Sequence, residues 1–347
     1  MPCHEKFGKQ KGLFLNTRPA ITLSEINLIC PSHKTILDLE TGHKTSLLCA
    51  DGCRYEVIKN IPRFVPSDLY SSSFGLQWNA FRKTQLDSYS GMNISQARLA
   101  RLVGGSLEGV RGKTILEAGC GAGRFTEVLL KAGANVFALD LSSAVEANLE
   151  NVDSLDNGTN YFICQADISN LPLSPGLFDM VICIGVIQHT PCPEDTIAAL
   201  CRQVRPGGQL VIDHYTYGYQ ATEPRQLLRK LLLQVPPESA LEFCREMTEL
   251  LWPIHRTFWE NRNDPQIANF RDAFLAMSPV VDHQYDLPEL GEQLKIWSML
   301  DTHDTLTDVY KHLRSTNDIF QCLANCGMSD IEAVYAGNGV EARAIKT

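Results

Sequence analysis

The sequence predicts an α/β fold in which short buried strands alternate with amphipathic helices, and three stretches carry that expectation. Lys113, Thr114, Ile115 and Leu116 have the apolar, β-branched character of a buried strand, which leads through Glu117 into Gly119-Cys-Gly-Ala-Gly123. Arg124 through Lys131 sets Phe125, Val128 and Leu129 on one helical face, and Gly133 suits the C-terminal cap of that helix. Asn135 through Asp140 is a second short apolar strand ending in an acid.

A strand, a glycine turn, a helix and an acid-ended strand make a nucleoside-binding βαβ unit, with Asp140 placed to accept hydrogen bonds from a ribose diol. The glycines let the chain turn sharply and bring its backbone against a ligand. A dinucleotide fingerprint needs glycine at the sixth position of the turn, which here is Arg124. No Lys-Ser/Thr pair follows the glycines, so a P-loop is excluded as well. The remaining pattern, acid-x-Gly-x-Gly-x-Gly, resembles the first motif of class I S-adenosylmethionine (SAM) dependent methyltransferases.

The rest of the chain follows that family in order. Tyr161 to Asp167 reads as a strand ending in Gln-Ala-Asp, which the resemblance assigns to the adenine amino group. Leu177 to Gly185 matches the fourth strand and leads to Val186-Ile-Gln-His189. Pro193 to Gln203 is an amphipathic helix with Glu194 and Asp195 favouring its dipole. Arg205-Pro-Gly-Gly208 stops that helix, and Gln209 to Asp213 is the fifth strand. Asn317–Cys326 suits a helix, and Ile331–Tyr335 and Val340–Ile345 a pair of strands joined through Gly337-Asn-Gly339. The resemblance implies a Rossmann-like seven-stranded sheet closed by an antiparallel C-terminal strand. It also implies a cofactor site. The backbone of Gly119, Cys120, Gly121, Ala122 and Gly123 would meet the methionine and ribose portion, with Glu117 fixing the loop. Asp140 would hold the ribose, Leu141 and Ile168 sandwich the adenine, Asp167 bind its amino group, and Ile184-Gly185 offer carbonyls at the amino-acid end. The plain alternative for Asp140 and Asp167 is strand-end capping.

Composition bounds the class. With 347 residues the chain holds a large core and more than one unit: an N-terminal segment (1–66), lid and linker helices (67–112), the SAM-binding core (113–218), a helical insertion (219–312) and a closing segment (313–347). No apolar run reaches the length of a membrane span and no signal-peptide core is seen, so no membrane partner is expected. Twelve cysteines, some inside expected strands, read as reduced thiols, which favours the cytoplasm. A formal net charge of −9 argues against broad nucleic-acid binding.

Cys30-Pro-Ser-His33 and Cys49-Ala-Asp-Gly-Cys53 could place four soft ligands around one structural zinc. The stretch Tyr55–Val65 that follows resembles the tail of the small zinc-ribbon segments preceding many bacterial methyltransferase domains. Those carry two Cys-x-x-Cys pairs; here one ligand is histidine and the second pair has an extra residue. The other reading is a metal-free remnant whose cysteines merely pack.

Phe74-Gly-Leu-Gln77-Trp78-Asn resembles a string found ahead of the core in methyltransferases that act on small metabolites or glycans, where it forms a lid helix over the cofactor and substrate. By spacing alone it is a packed helix face. The insertion reads as helices over Pro224–Gln234, Pro237–Trp252 and Ile267–Met277, broken by Pro236, Pro253 and Pro279. It is either a substrate cap, or a homodimer interface or plain helical cover. His189, just after the fourth strand, either acts as general base for an oxygen or nitrogen acceptor or packs the turn that follows it. Tyr215, Tyr217 and Tyr219 share that rim.

The expectation is thus a SAM-dependent methyltransferase acting on a small-molecule acceptor. The alternatives are an RNA methyltransferase whose zinc segment grips RNA, and a non-catalytic SAM-binding module.

Overall fold

Alternate residues of one strand set divide the core of this protein into two layers. In the computed structural model, which describes residues 26–40, 45–66, 70–153, 155, 160–217 and 222–347, strands β5 (Thr114–Ala118), β6 (Asn135–Asp140), β7 (Tyr161–Gln165), β8 (Phe178–Cys183) and β9 (Val204–Tyr215) run parallel. Residues 1–25 and Tyr219 lie outside the described residues. Leu116, Phe137, Phe178 and Leu210 face one layer, and Ile115, Val136, Met180 and Val211 the other, as the two-residue repeat of a strand requires. Burial on both faces explains why these strands read as continuous apolar runs. Helices α4 (Arg124–Lys131) and α5 (Ala144–Asp153) lie on one face, α6 (Pro193–Gln203) and α11 (Thr316–Asn325) on the other.

The sheet order is β10-β11-β9-β8-β5-β6-β7, with β10 (Met328–Ala336) and β11 (Gly339–Lys346) at one edge. Strand β11 is antiparallel to both neighbours, so the expected seven-stranded sheet with an antiparallel C-terminal strand is present. The chain moves outward from β5 through β6 to β7, then returns to place β8 on the other side of β5. That reversal opens a crevice beyond the carboxyl ends of β5 and β8, where ligands bind in open α/β sheets.

Two expectations about boundaries are corrected. Strand β9 starts at Val204, directly after α6, and the Arg205–Gly208 stretch belongs to it: the register against β8 jumps between Phe178 and Met180 to take up the extra residues. Helix α8 (Pro237–Glu260) runs through Pro253. A proline removes one i→i−4 bond, but packing on both sides holds the helix together: Leu241 and Cys244 are buried before it, and His255 after it hydrogen-bonds Asp282 and Ser278.

The other insertion helices are α7 (Glu223–Leu232), α9 (Pro265–Met277) and α10 (Leu294–Thr307). Helix α10 escaped the sequence pattern because much of what it buries is polar, Ser298, Thr302, His303, Thr305 and Thr307 among them. It packs on α7, α8 and the lid helix α1 (Ser72–Ala80). Close packing of α1 on the core depends on Gly75, where a Cβ would come within 2.5 Å of the Ser143 hydroxyl. Helices α2 (Asp87–Ser90) and α3 (Ile94–Leu102) complete the linker. The N-terminal strands β1 (Leu37–Glu40), β2 (Ser46–Cys49), β3 (Arg54–Ile58) and β4 (Ile61–Pro62) form an antiparallel sheet that docks on the outer edge of β7, with Phe64 N–H bonded to Gln165 O at 2.8 Å. The docked segment covers an edge that would otherwise present unpaired backbone groups.

Candidate active site

The glycine turn is tight because its neighbours leave no room. Gly119 sits at φ +77° with Val186 so close that a Cβ would come within 2.3 Å of its methyl, and Gly123, at φ +95°, abuts the Asn148 amide. Asp140 stabilises the turn from the end of β6. Its Oδ2 accepts the Gly121 N–H at 2.9 Å, and Oδ1 accepts the Ser142 N–H and hydroxyl at 2.8 and 2.7 Å. Burial raises its pKa, although these donors oppose the rise. Glu117 lies beneath the turn, 3% exposed, and accepts from the Thr126 hydroxyl at 2.6 Å; burial pushes its carboxyl up to about 8.

A cavity of about 330 Å³ opens over this turn. Gly119, Cys120, Gly121, Ala122, Asp140, Leu141, Asp167, Ile168, Ile184, Gly185, Trp78 and His189 all line it. Glu117, Gly123 and Gln77 stand behind the wall. Gln77 is fully buried, with its amide bonded to the insertion, for which its helical spacing gave no signal. Asp167 also caps the 3-10 turn Ile168–Asn170 through the Ser169 N–H at 2.8 Å. Sequence reasoning missed Tyr70, Arg82, Gln85, Arg124 and Cys192 in the wall. Arg124 had a signal in its place directly after the glycines, at the first position of α4. Its guanidinium donates to Gln85 Oε1 at 2.7 Å and Ser95 Oγ at 3.1 Å and has no carboxylate in ion-pair reach among the described residues. Burial and the nearby Arg98 bring it down to about 10.

His189 lines the cavity where the lid helix meets the end of β9. Its ring is 5.4 Å from that of Phe74 and 5.3 Å, edge-on, from that of Tyr215. Nδ1 donates to the Tyr310 carbonyl at 3.0 Å and lies 3.4 Å from Asp308 Oδ2. Burial disfavours the charged ring, but Asp308, Asp304 and the Tyr310 carbonyl outweigh it and raise the pKa above 6.5. Tyr217, by contrast, is exposed. The insertion adds a stripe of acids along α10. Asp301 accepts from His283 Nε2 at 2.6 Å and from Gln85 Nε2 at 3.3 Å, and half-buried Asp304, pushed up to about 6 by desolvation, accepts from Gln77 Nε2 at 3.3 Å.

In the N-terminal segment, the side chains of Cys30, His33, Cys49 and Cys53 converge, with all four ligand atoms within 4.8 Å of one another. His33 Nδ1 is 3.6, 3.4 and 3.5 Å from the sulfurs of Cys30, Cys49 and Cys53. Tetrahedral zinc with Zn–S of about 2.3 Å and Zn–N of about 2.0–2.1 Å sets sulfur and nitrogen about 3.5 Å apart, so the donor set fits that ion. Burial works against a Cys30 thiolate, but hydrogen bonds from Tyr55 and the His33 and Ser32 amides bring the thiol down to about 6, close to the ligating form.

Comparison with known proteins agrees with this geometry. A family described as "Methyltransferase domain" matches residues 116–212. A ubiquinone biosynthesis O-methyltransferase of Pseudomonas paraeruginosa is 30% identical over 136 residues, which cover 39% of this chain and 58% of that protein. The protein of the same description from Pectobacterium carotovorum is 25% identical over 199 residues, 57% of this chain and 79% of that protein. The chain thus spans little more than half the length of the Pseudomonas relative. The solved structure of magnesium protoporphyrin IX methyltransferase from Synechocystis superposes with a TM-score of 0.42 at 17% identity, covering 80% of this chain and 97% of that one. The glycine turn, the two strand-end acids and the seven-stranded order thus lie in and around residues 116–212, the stretch that is similar to a methyltransferase domain.

Proposed function

We propose that this protein methylates an oxygen atom of a small, largely apolar acceptor. One observation carries the reading: a single cavity joins the glycine turn, Asp140 and Asp167 to the ring of His189. Bound SAM supplies an activated methyl group on its sulfonium. Asp140 holds the ribose diol, Asp167 the adenine amino group, and Leu141 and Ile168 flank the base. Arg124, a cation lacking a carboxylate partner among the described residues, suits the carboxylate of the cofactor's amino-acid part. Tyr70, Phe74 and Trp78 roof the site and favour a flat apolar acceptor. The relatives named as O-methyltransferases support oxygen as the acceptor atom.

With Nδ1–H tied to the Tyr310 carbonyl, His189 keeps Nε2 free to take the proton an acceptor hydroxyl releases. Aligning the acceptor and excluding water supply the rest of the rate. The three cysteines and His33 would hold a structural zinc, which would stiffen the N-terminal sheet and take no part in the methyl transfer. The test is release of S-adenosylhomocysteine (SAH) from SAM with a panel of catechols, phenols and aryl amines. Turnover with a phenolic acceptor, falling about 10²–10⁴-fold in His189→Gln while SAH affinity is kept, supports the reading. Turnover unchanged in that variant removes His189 as the base, and transfer only to nitrogen acceptors removes the choice of oxygen.

A further inference from the structure

We propose that Asp308 and the Tyr310 carbonyl, where the helical insertion ends, position His189 as a proton acceptor. The carbonyl sets the ring's tautomer and the carboxylate favours the protonated ring. This rests on the reading of His189 as the base, and gives the insertion a part in the chemistry.

The carbonyl is 3.0 Å from Nδ1, within hydrogen-bond reach, so the Nδ1–H tautomer is the one held. Asp308 Oδ2 stands 3.4 Å from the same nitrogen, beyond a good hydrogen bond but close enough to act through charge. The carboxylate is itself fixed. It is fully buried, its Oδ1 accepts from Arg229 Nε at 2.6 Å, and Lys311 Nζ lies 3.1 Å from Oδ2. A buried carboxylate held from both sides by cations does not rotate away. The charged groups around the imidazole are Asp304 and Asp308 of the α10 end, Lys311 beyond it and Arg229 of α7; the rings of Phe74 and Tyr215 pack against it from the lid and β9. A proton gained by His189 meets a carboxylate at 3.4 Å.

Asp308 is a positioning residue, so its test reads the ring directly. Full-length protein, labelled with ¹⁵N and saturated with SAH, is titrated by long-range ¹H–¹⁵N spectroscopy of its histidines, and His189 is assigned by its loss in His189→Gln. The expected wild-type ring is the Nδ1–H tautomer with a pKa above 6.5. Asp308→Asn lowers that pKa by about one unit, with the tautomer kept. Arg229→Met and Lys311→Met each raise it, because each removes a competing cation. Disruption of the fold alone would not produce shifts of opposite sign. A pKa that none of the variants moves, a downward shift in the two cation variants, or an Nε2–H tautomer overturns the proposal. If Asp308→Asn does not fold, the upward shifts in Arg229→Met and Lys311→Met decide it. Unchanged turnover in His189→Gln would fail the base reading alone, since the ring titration needs no acceptor.

Discussion

Gln77 and His303, 226 positions apart, bind each other side chain to side chain: His303 Nδ1 donates to Gln77 Oε1 at 2.5 Å. The same amide donates from Nε2 to Asp304, so one glutamine of the lid helix reads two neighbouring residues of the insertion. Both partners are fully buried, and burial holds His303 down to about 4, neutral at physiological pH. Removing one partner leaves the other unsatisfied, so Gln77→Leu and His303→Leu should each cost about 1–3 kcal/mol. The double variant should cost less than their sum. Urea unfolding of the four proteins in a double-mutant cycle measures this, and strictly additive losses would show the pair to be uncoupled.

Asp140 should control cofactor affinity. Its two oxygens order the Gly121 amide and the Ser142 turn, and a bound ribose would use the same carboxylate. Asp140→Ala should weaken SAH binding about 10–100-fold by isothermal titration calorimetry. An unchanged dissociation constant would leave the carboxylate as a strand-end cap.

Glu117 makes the cofactor-free protein sensitive to pH. The folded carboxyl keeps its proton up to about 8, whereas an ordinary glutamic acid releases it near 4.5. Across that window the folded state binds more protons than the unfolded state, so this group's contribution to stability falls as pH rises, by up to about 1.4 kcal/mol per unit. Glu117→Gln should therefore melt at nearly the same temperature as wild type at about pH 5 and higher than wild type at about pH 8. A melting difference that stays constant with pH would contradict the assigned protonation.

The N-terminal cluster should bind one zinc per chain. Its sheet has a small core, chiefly Leu37 and Leu47 with the ligand cysteines themselves, so the metal should contribute much of its order. Native mass spectrometry should find one zinc, lost in Cys49→Ser, with a lower melting temperature in that variant and in chelator-treated wild type. A metal-free mass for wild type would leave the four side chains as packing alone.

The local parts of this protein were legible in the chain itself. The runs Thr114–Ala118 and Asn135–Asp140, the helix Arg124–Lys131 and the glycines between them follow from periodicity, β-branching and the steric demands of a tight turn, all of which act within a few residues. The acids Asp140 and Asp167 could be found because strand ends in such units converge on one crevice. Tertiary packing decided the rest. Helix α10 buries polar groups, so its apolar period is weak, and Asp301, Asp304 and Asp308 gained meaning only when the fold set them against Gln85, Gln77 and His189. Pro253 stands inside a helix because contacts on both sides outweigh one missing hydrogen bond. Hydrogen bonds and ion pairs between residues two hundred positions apart leave no local pattern, because their partners share space and not sequence.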